Sequence, residues 1–235
     1  MINYIKAELY RLRRTKSVRL VVIASCLFLL LTIGSVSGEV DVAIAGYEFQ
    51  NLVWFIIATP IFAYVYLADT KNRTLGSILS MNVSKLSYIL GKLIISILWL
   101  LFYYIVFSIY LSVMQYTMFI QNDTNIQAVY LLTIIRMLRI ICAIAFSGVA
   151  VVFTHTTSMS LLAYLALTGQ SLSSTLRTNA MYSRVARIIL NFSLGDMMQN
   201  IISGGGASLL IALSITMVSL ASAVILSYVL FKESH

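Results

Sequence analysis

Residues able to do chemistry are few in this chain, and their spacing excludes more than it supports. No G-x-x-x-x-G-K-[ST] run occurs, so the chain has no P-loop with which to cradle ATP. Gly204-Gly205-Gly206 lacks the following lysine and reads as a flexible helix start. No H-E-x-x-H occurs; His155 stands alone among threonines and His235 is the last residue. Serines are plentiful, but no carboxylate–histidine pair accompanies them. The apolar stretches contain no Asp or Glu, which removes the carboxylate relay of proton-coupled carriers and the paired acids of intramembrane proteases. Cys26 and Cys142 fall in apolar stretches and read as small hydrophobes. A self-contained enzyme or secondary transporter is therefore disfavoured, and a metal site has no ligand set.

Positive charge is the chemistry that remains. Arg136 and Arg139 sit three apart and share one helix face. A span from Met137 to Thr156 would put both at its outer end, where arginine stems can reach the interface at little cost. The alternative is that they line an outward vestibule for acidic or phosphate-bearing cargo, with Arg177, Arg184 and Arg187 extending the surface. Residues 69–92, DTKNRTLGSILSMNVSKLSYILGK, are the other polar feature. This break is too long for a tight turn and carries Leu75, Ile78, Leu79, Val83 and Leu86 at helical spacing. An amphipathic helix held between two membrane spans offers a surface to a partner.

The elements that would position these residues follow from composition. The chain is 60% hydrophobic and 10% charged, with a mean hydropathy of +0.93; a soluble domain carries about 25% charged residues. We read a single all-α polytopic membrane domain over 1–235. A bilayer core takes roughly 20 helical residues, and six spans fit: about Leu20–Val36, Asn51–Ala68, Ile89–Met114, a fourth from beyond Tyr130 to near Phe153, a short Ser158–Leu172, and Ser208–Leu230. Residues 1–19 read as an N-terminal interfacial helix, because Ile2, Ile5, Leu9 and Leu12 recur at helical spacing with Lys6, Arg13 and Lys16 toward the other face. A flexible basic anchor is the alternative. A signal peptide is excluded by the span-length apolar run and the spans that follow. Residues 173–207 are too polar to span and too apolar to float free. They read as an outer re-entrant helical hairpin against the ends of spans five and six, with a plain surface loop as the alternative. Tyr103, Tyr104, Phe107 and Tyr110 in span three serve either packing and an interface belt or a cargo-facing stripe.

Orientation comes from the basic residues. Lys6, Arg11, Arg13, Arg14, Lys16 and Arg19 precede the first span; Lys71, Arg73, Lys85 and Lys92 fill the second break; Lys232 follows the last span. Segments 37–50 and 115–129 carry no Lys or Arg but hold Glu39, Asp41, Glu48 and Asp123. Both termini and the 69–88 loop are thereby expected in the cytoplasm. The formal charge of +8 needs no nucleic-acid partner; topology and attraction to anionic lipid heads account for it.

These features together resemble one group. Lys6-Ala7-Glu8-Leu9-Tyr10-Arg11-Leu12-Arg13, six spans and an outer hairpin before the sixth are similar to the type-2 permeases of ATP-binding-cassette (ABC) exporters. The likeness is to the small bacterial permeases of the bacitracin and lantibiotic immunity and peptide-export kind. In that family the loop after span two carries an acidic residue, a Gly-Thr pair, a short amphipathic helix and a Pro-Val-Ser-Arg-like turn. Asp69, Thr74-Leu75 and Asn82-Val83-Ser84-Lys85 stand at those places, with Arg73 for the glycine and Asn82 for the proline.

The resemblance implies a division of labour. Separate ABC ATPase subunits would bind ATP and Mg, and this chain would hold no cofactor and catalyse nothing. Their groove would receive the coupling helix, with Leu75, Ile78 and Leu79 as anchors, Asp69 and Thr74 in its motif, and Lys71 and Arg73 facing acidic rim groups. The N-terminal helix, with Lys6, Glu8, Arg11 and Arg13, would brace the loop. Two permease chains, identical or related, would line the route in a bacterial cytoplasmic membrane. Cargo follows by elimination: an amphipathic antimicrobial or cytolytic peptide first, a hydrophobic drug or lipid-linked substrate second. A membrane-embedded lipid enzyme would need convergent acids or metal ligands that are absent; a non-transporting scaffold or sensor subunit stays open.

Overall fold

The structure, a computed structural model, describes residues 2–16, 18–24, 58–71, 83–117, 126–154, 156–168 and 208–233, together with Leu194, Met197, Met198 and Ile201. The described residues form helices and no strand. We label α1 (Ile2–Arg14), α2 (Ala58–Leu67, continuing through Ala68–Lys71), α3 (Lys85–Thr117), α4 (Ile126–Thr154), α5 (Thr157–Thr168) and α6 (Leu209–Glu233). Residues 18–24 are also helical.

Among the described residues, three helices are long and apolar enough to cross a membrane: Lys85–Ile109, Tyr130–Thr154 and Leu209–Phe231. These correspond to expected spans three, four and six. Of the expected first span only residues up to 24 are described, and of the second only those from Ala58. The fifth is the 12-residue α5, about 18 Å of helix against a hydrocarbon core of about 30 Å.

α4 is the centre of the bundle. Its span is 67% buried in protein, against 39% for α3 and 17% for α6. The main core joins Phe62, Val65 and Tyr66 of α2, Tyr103 and Phe107 of α3, Ile141 and Ile144 of α4, Tyr164 of α5 and Leu12 of α1. Phe62 stacks on Tyr164 at 4.8 Å and on Tyr66 at 5.6 Å between ring centroids. Tyr103 and Phe107 thus pack in the protein, whereas Tyr104 is half-buried. Buried hydroxyls bond back to their own helices, Ser147 to the Ala143 carbonyl (2.6 Å) and Thr216 to that of Ala212 (2.8 Å). This satisfies their donors within the helix.

Two expectations change, and a third is described in part. First, α4 starts at Ile126, well before the Met137 that would have put both arginines at its end. Arg136 lies in its third turn and is buried, while Arg139 is half-buried. Hydropathy weighted the arginines as a boundary, but the helix ladder runs through them. Second, the 69–92 break is shorter than it reads: α2 runs to Lys71 and α3 begins at Lys85. Lys85 and Lys92 are therefore helix residues. Third, within 173–207 the described Leu194, Met197, Met198 and Ile201 are helical, with the i, i+3, i+4, i+7 spacing of one face. They pack on Leu132, Ile135 and Leu138 of α4 and Ala212 of α6. The rest of the expected hairpin lies outside the described residues.

Candidate functional site

Where α1 meets the bundle, four charged side chains from three elements converge. Lys92 is the centre: it is 0% exposed, in the third turn of an otherwise apolar α3. An ammonium in such a place persists only if anions replace its water. Two do. Its Nζ lies 2.5 Å from Glu8 Oε1 on α1 and 2.6 Å from Asp69 Oδ2 near the end of α2. Arg11, one turn along α1, closes the set. Its Nε donates to Glu8 Oε2 at 2.9 Å, its Nη2 also pairs with Glu8 Oε1, and Nη2 stands 3.8 Å from Asp69 Oδ1. The Tyr88 hydroxyl, one turn before Lys92, donates to Asp69 Oδ2 at 3.1 Å. Two carboxylates and two cations leave the cluster neutral.

Local backbone geometry makes this convergence possible. α2 contains a π-helical turn at Ala63–Leu67, in which the Ala68 N–H bonds the Ala63 carbonyl, five residues back. In an α-helix that N–H would bond Tyr64. The Tyr64 carbonyl instead accepts from Arg11 Nη2 at 3.4 Å. The extra residue per turn also changes which side chains face the bundle, and Tyr66 and Asp69 are both buried there. Lys85 ties a further element to the same end: its Nζ donates to the Phe231 carbonyl of α6 at 3.0 Å and lies over that residue's ring at 5.4 Å.

Close approach of α1 to α3 depends on Gly91. A Cβ there would lie 2.7 Å from the ring of Tyr4, so the glycine lets α1 settle low enough for Glu8 to reach Lys92. Gly91→Val is expected to push Tyr4 off α3 and weaken α1 docking by about 1–3 kcal/mol. The check is a faster tryptic cut after Arg13 or Arg14 under native conditions.

The electrostatics fix a pH dependence. Burial pushes the Glu8 carboxyl up, but its hydrogen bond to Arg11 and the charge and hydrogen bond of Lys92 outweigh this and hold it below its ordinary 4.5. Burial draws Arg11 down, while Glu8 and then Asp69 raise it above its ordinary value. Burial and the two nearby carboxylates push the Tyr4 phenol up, so it stays neutral. Because the folded-state value of Glu8 is depressed, its stabilisation is complete above 4.5 and is lost as pH falls through the lowered folded value. Spin-label distances from α1 to α3 should be constant from pH 6 to 8, and should lengthen only on acidification below about 4.5.

The expected site residues fall into four groups. Glu8, Arg11 and Asp69 come together, as just described. Lys6 and Arg13 are exposed on the far face of α1. Arg136 and Arg139 lie on α4, where buried neighbours such as Ile135 and Leu138 pack with Leu194, Met197, Met198 and Ile201. Arg73, Thr74, Leu75, Ile78, Leu79, Arg184 and Arg187 lie outside the described residues, as does the side chain of Lys71. Sequence reading missed Lys92, Tyr88 and Tyr4. One clue existed: a lysine about two turns into an apolar helix must find an anion, and the chain has only eight acids to choose from.

No group here is placed to act as nucleophile and base. The arrangement is a neutral electrostatic clasp that fixes the two ends of the 72–84 connection to each other and to α1. Against known proteins, a family model described as ABC-2 family transporter protein matches residues 4–171, well over half of the chain and including every member of the clasp. No curated protein matches the chain.

Proposed function

The chain belongs to the ABC-2 family of transporter proteins, and from that premise we propose that it is the permease subunit of an exporter for amphipathic peptides. As a family member it is a multi-pass membrane component that works with an ABC ATPase. The further reading is that the ATPase docks on the 70–82 segment in the cytoplasm, with Leu75, Ile78 and Leu79 as anchors and Lys71 and Arg73 at the rim. A second permease chain completes the route. Arg136, Arg139, Arg184 and Arg187 are proposed to border an outward path.

The clasp is the observation that supports this reading. A segment that receives force from a partner is useful only if both its ends are coupled to the spans. Here Asp69 at the end of α2 and Lys92 on α3 are paired at 2.6 Å, so displacement of the segment must move α2, α3 and α1 together. Amphipathic cargo suits a bundle whose outward faces are apolar, such as Leu210, Met217, Val218 and Ile225 of α6.

Leu75→Asp/Leu79→Asp tests the docking. Burial of a leucine side chain is worth about 1.5–3 kcal/mol, so loss of both anchors should weaken ATPase co-purification by roughly a hundredfold or more. The double variant should keep the wild-type melting temperature. Undiminished binding and transport in a well-folded double variant would sink the proposal. Resistance and secretion assays with amphipathic peptides on a deletion strain address the cargo.

A further inference from the structure

Beside the clasp, on the side away from α1, lies a cavity of about 280 Å³ bounded by α2, α3, α4 and α6. Small residues create it: Ala145 and Gly148 on α4 stand across from Ala223 on α6, where larger side chains would close the space. Gly148 has a second part in it. A Cβ there would lie 2.8 Å from the Tyr66 ring, so only glycine lets that ring stand at the cavity wall.

The wall is apolar except at one end. There stands Asp69, its carboxylate paired with Lys92 and hydrogen-bonded by Tyr88, flanked by the aromatic rings of Tyr66, Tyr88 and Phe231, with Ser227 nearby. Among the described residues no lysine or arginine lines the space; Lys92 and Arg11 approach Asp69 without being lining residues. The rings already act as cation acceptors in this fold, since Lys92 Nζ lies 5.6 Å from the Tyr88 ring centre and Lys85 Nζ 5.4 Å from that of Phe231. The π-helical turn that points Tyr66 and Asp69 inward is a kind of irregularity found at functional sites.

We infer that this cavity binds a lipophilic cation: a single apolar chain carrying an ammonium head, the head against Asp69 and the aromatic rings, the chain against α4 and α6. An anion would meet a carboxylate and the negative faces of the rings. A neutral chain would gain the apolar wall but nothing from the polar end. The volume lies just under the range of about 300–1,000 Å³ typical of small-molecule pockets, which suits one chain and excludes a two-chain lipid or a folded peptide. The site lies within one permease chain and goes beyond the transporter reading. Because it shares Asp69 with the clasp, its occupant touches the same carboxylate that pins the 72–84 connection.

The test is binding of n-octyltrimethylammonium to the purified full-length chain in maltoside micelles, read by calorimetry against empty micelles. 1-Octanol and octanoate serve as neutral and anionic counterparts. The expected result is saturable 1:1 binding of the cation, at least roughly tenfold tighter than the alcohol, with the carboxylate weaker still. Ala223→Leu fills the cavity without touching the clasp and should weaken cation binding by about tenfold or more at an unchanged melting temperature. Asp69→Asn should remove the preference for the cation over the alcohol. Equal binding of alcohol and cation, or undiminished cation binding by a well-folded Ala223→Leu chain, would overturn the inference. The assay contains no ATPase, so failure of the transporter reading would leave its outcome unchanged.

Discussion

Lys92→Met is expected to destabilise the folded chain by about 3–5 kcal/mol, the range for breaking one side of a buried ion pair. The substitution conserves volume and an apolar stem, so packing in α3 is retained. What it removes is the one cation within 2.6 Å of both Glu8 and Asp69. Asp69 would be left buried with the Tyr88 hydroxyl and an arginine 3.8 Å away. A paired variant separates charge from shape. Lys92→Met/Asp69→Leu removes one charge of each sign and leaves Glu8 paired with Arg11. It should lose less stability than Lys92→Met alone, giving a coupling energy of opposite sign to the single effects. Thermal melting of the three variants in one detergent decides the matter. If the double variant melts lower than the single, Lys92 acts by packing and the clasp is not electrostatic.

Glu8→Lys should have the second large effect, and it should be local. The change turns a neutral set of two anions and two cations into three cations around Asp69 at the point where α1 meets α3. Lys92 cannot move to water, since it is wholly enclosed, whereas α1 can lift away with its exposed Lys6, Arg13 and Lys16 already solvated. The helix is therefore expected to undock at a cost of about 3–5 kcal/mol to the intact structure, while α2–α6 keep their packing. Trypsin should then cut within α1 at least tenfold faster, and the melting transition of the remaining bundle should shift by much less than in Lys92→Met. Glu8→Gln preserves shape and a hydrogen-bond acceptor and should give the milder phenotype. In transport assays the expectation is that Glu8→Lys uncouples ATP hydrolysis from export without preventing ATPase binding. That outcome would separate the bracing of the 72–84 connection from its docking surface. Loss of ATPase binding in Glu8→Lys would assign α1 to the docking surface itself.

Much of the architecture was written in local sequence. Apolar runs such as 89–114 and 208–230 needed no partner to be read as spans, because a helix in hydrocarbon satisfies its own backbone and needs only length and composition. The N-terminal helix was legible from the helical spacing of Ile2, Ile5, Leu9 and Leu12. Boundaries were less so. The polar residues of 69–92 made the break look continuous up to Lys92, but α3 begins at Lys85. Met137 looked like a start because Arg136 and Arg139 flank it, but α4 runs eleven residues further toward the N-terminus, to Ile126. In both cases a charge was read as solvent-facing when tertiary packing encloses it.

The sequence by itself determined that this is an α-helical membrane chain without a P-loop motif, and it pointed to the family. Hydropathy and motif spacing are local properties, and those conclusions rest on them alone. Only the tertiary structure decided what the charges do. Lys92 and Glu8 are 84 residues apart, and nothing in either neighbourhood specifies the other. The π-helical turn at Ala63–Leu67, the missing side chain at Gly91 and the small residues at Ala145, Gly148 and Ala223 act through the distances they allow between helices. Those distances turn scattered charges into a buried neutral clasp with a carboxylate-ended cavity beside it.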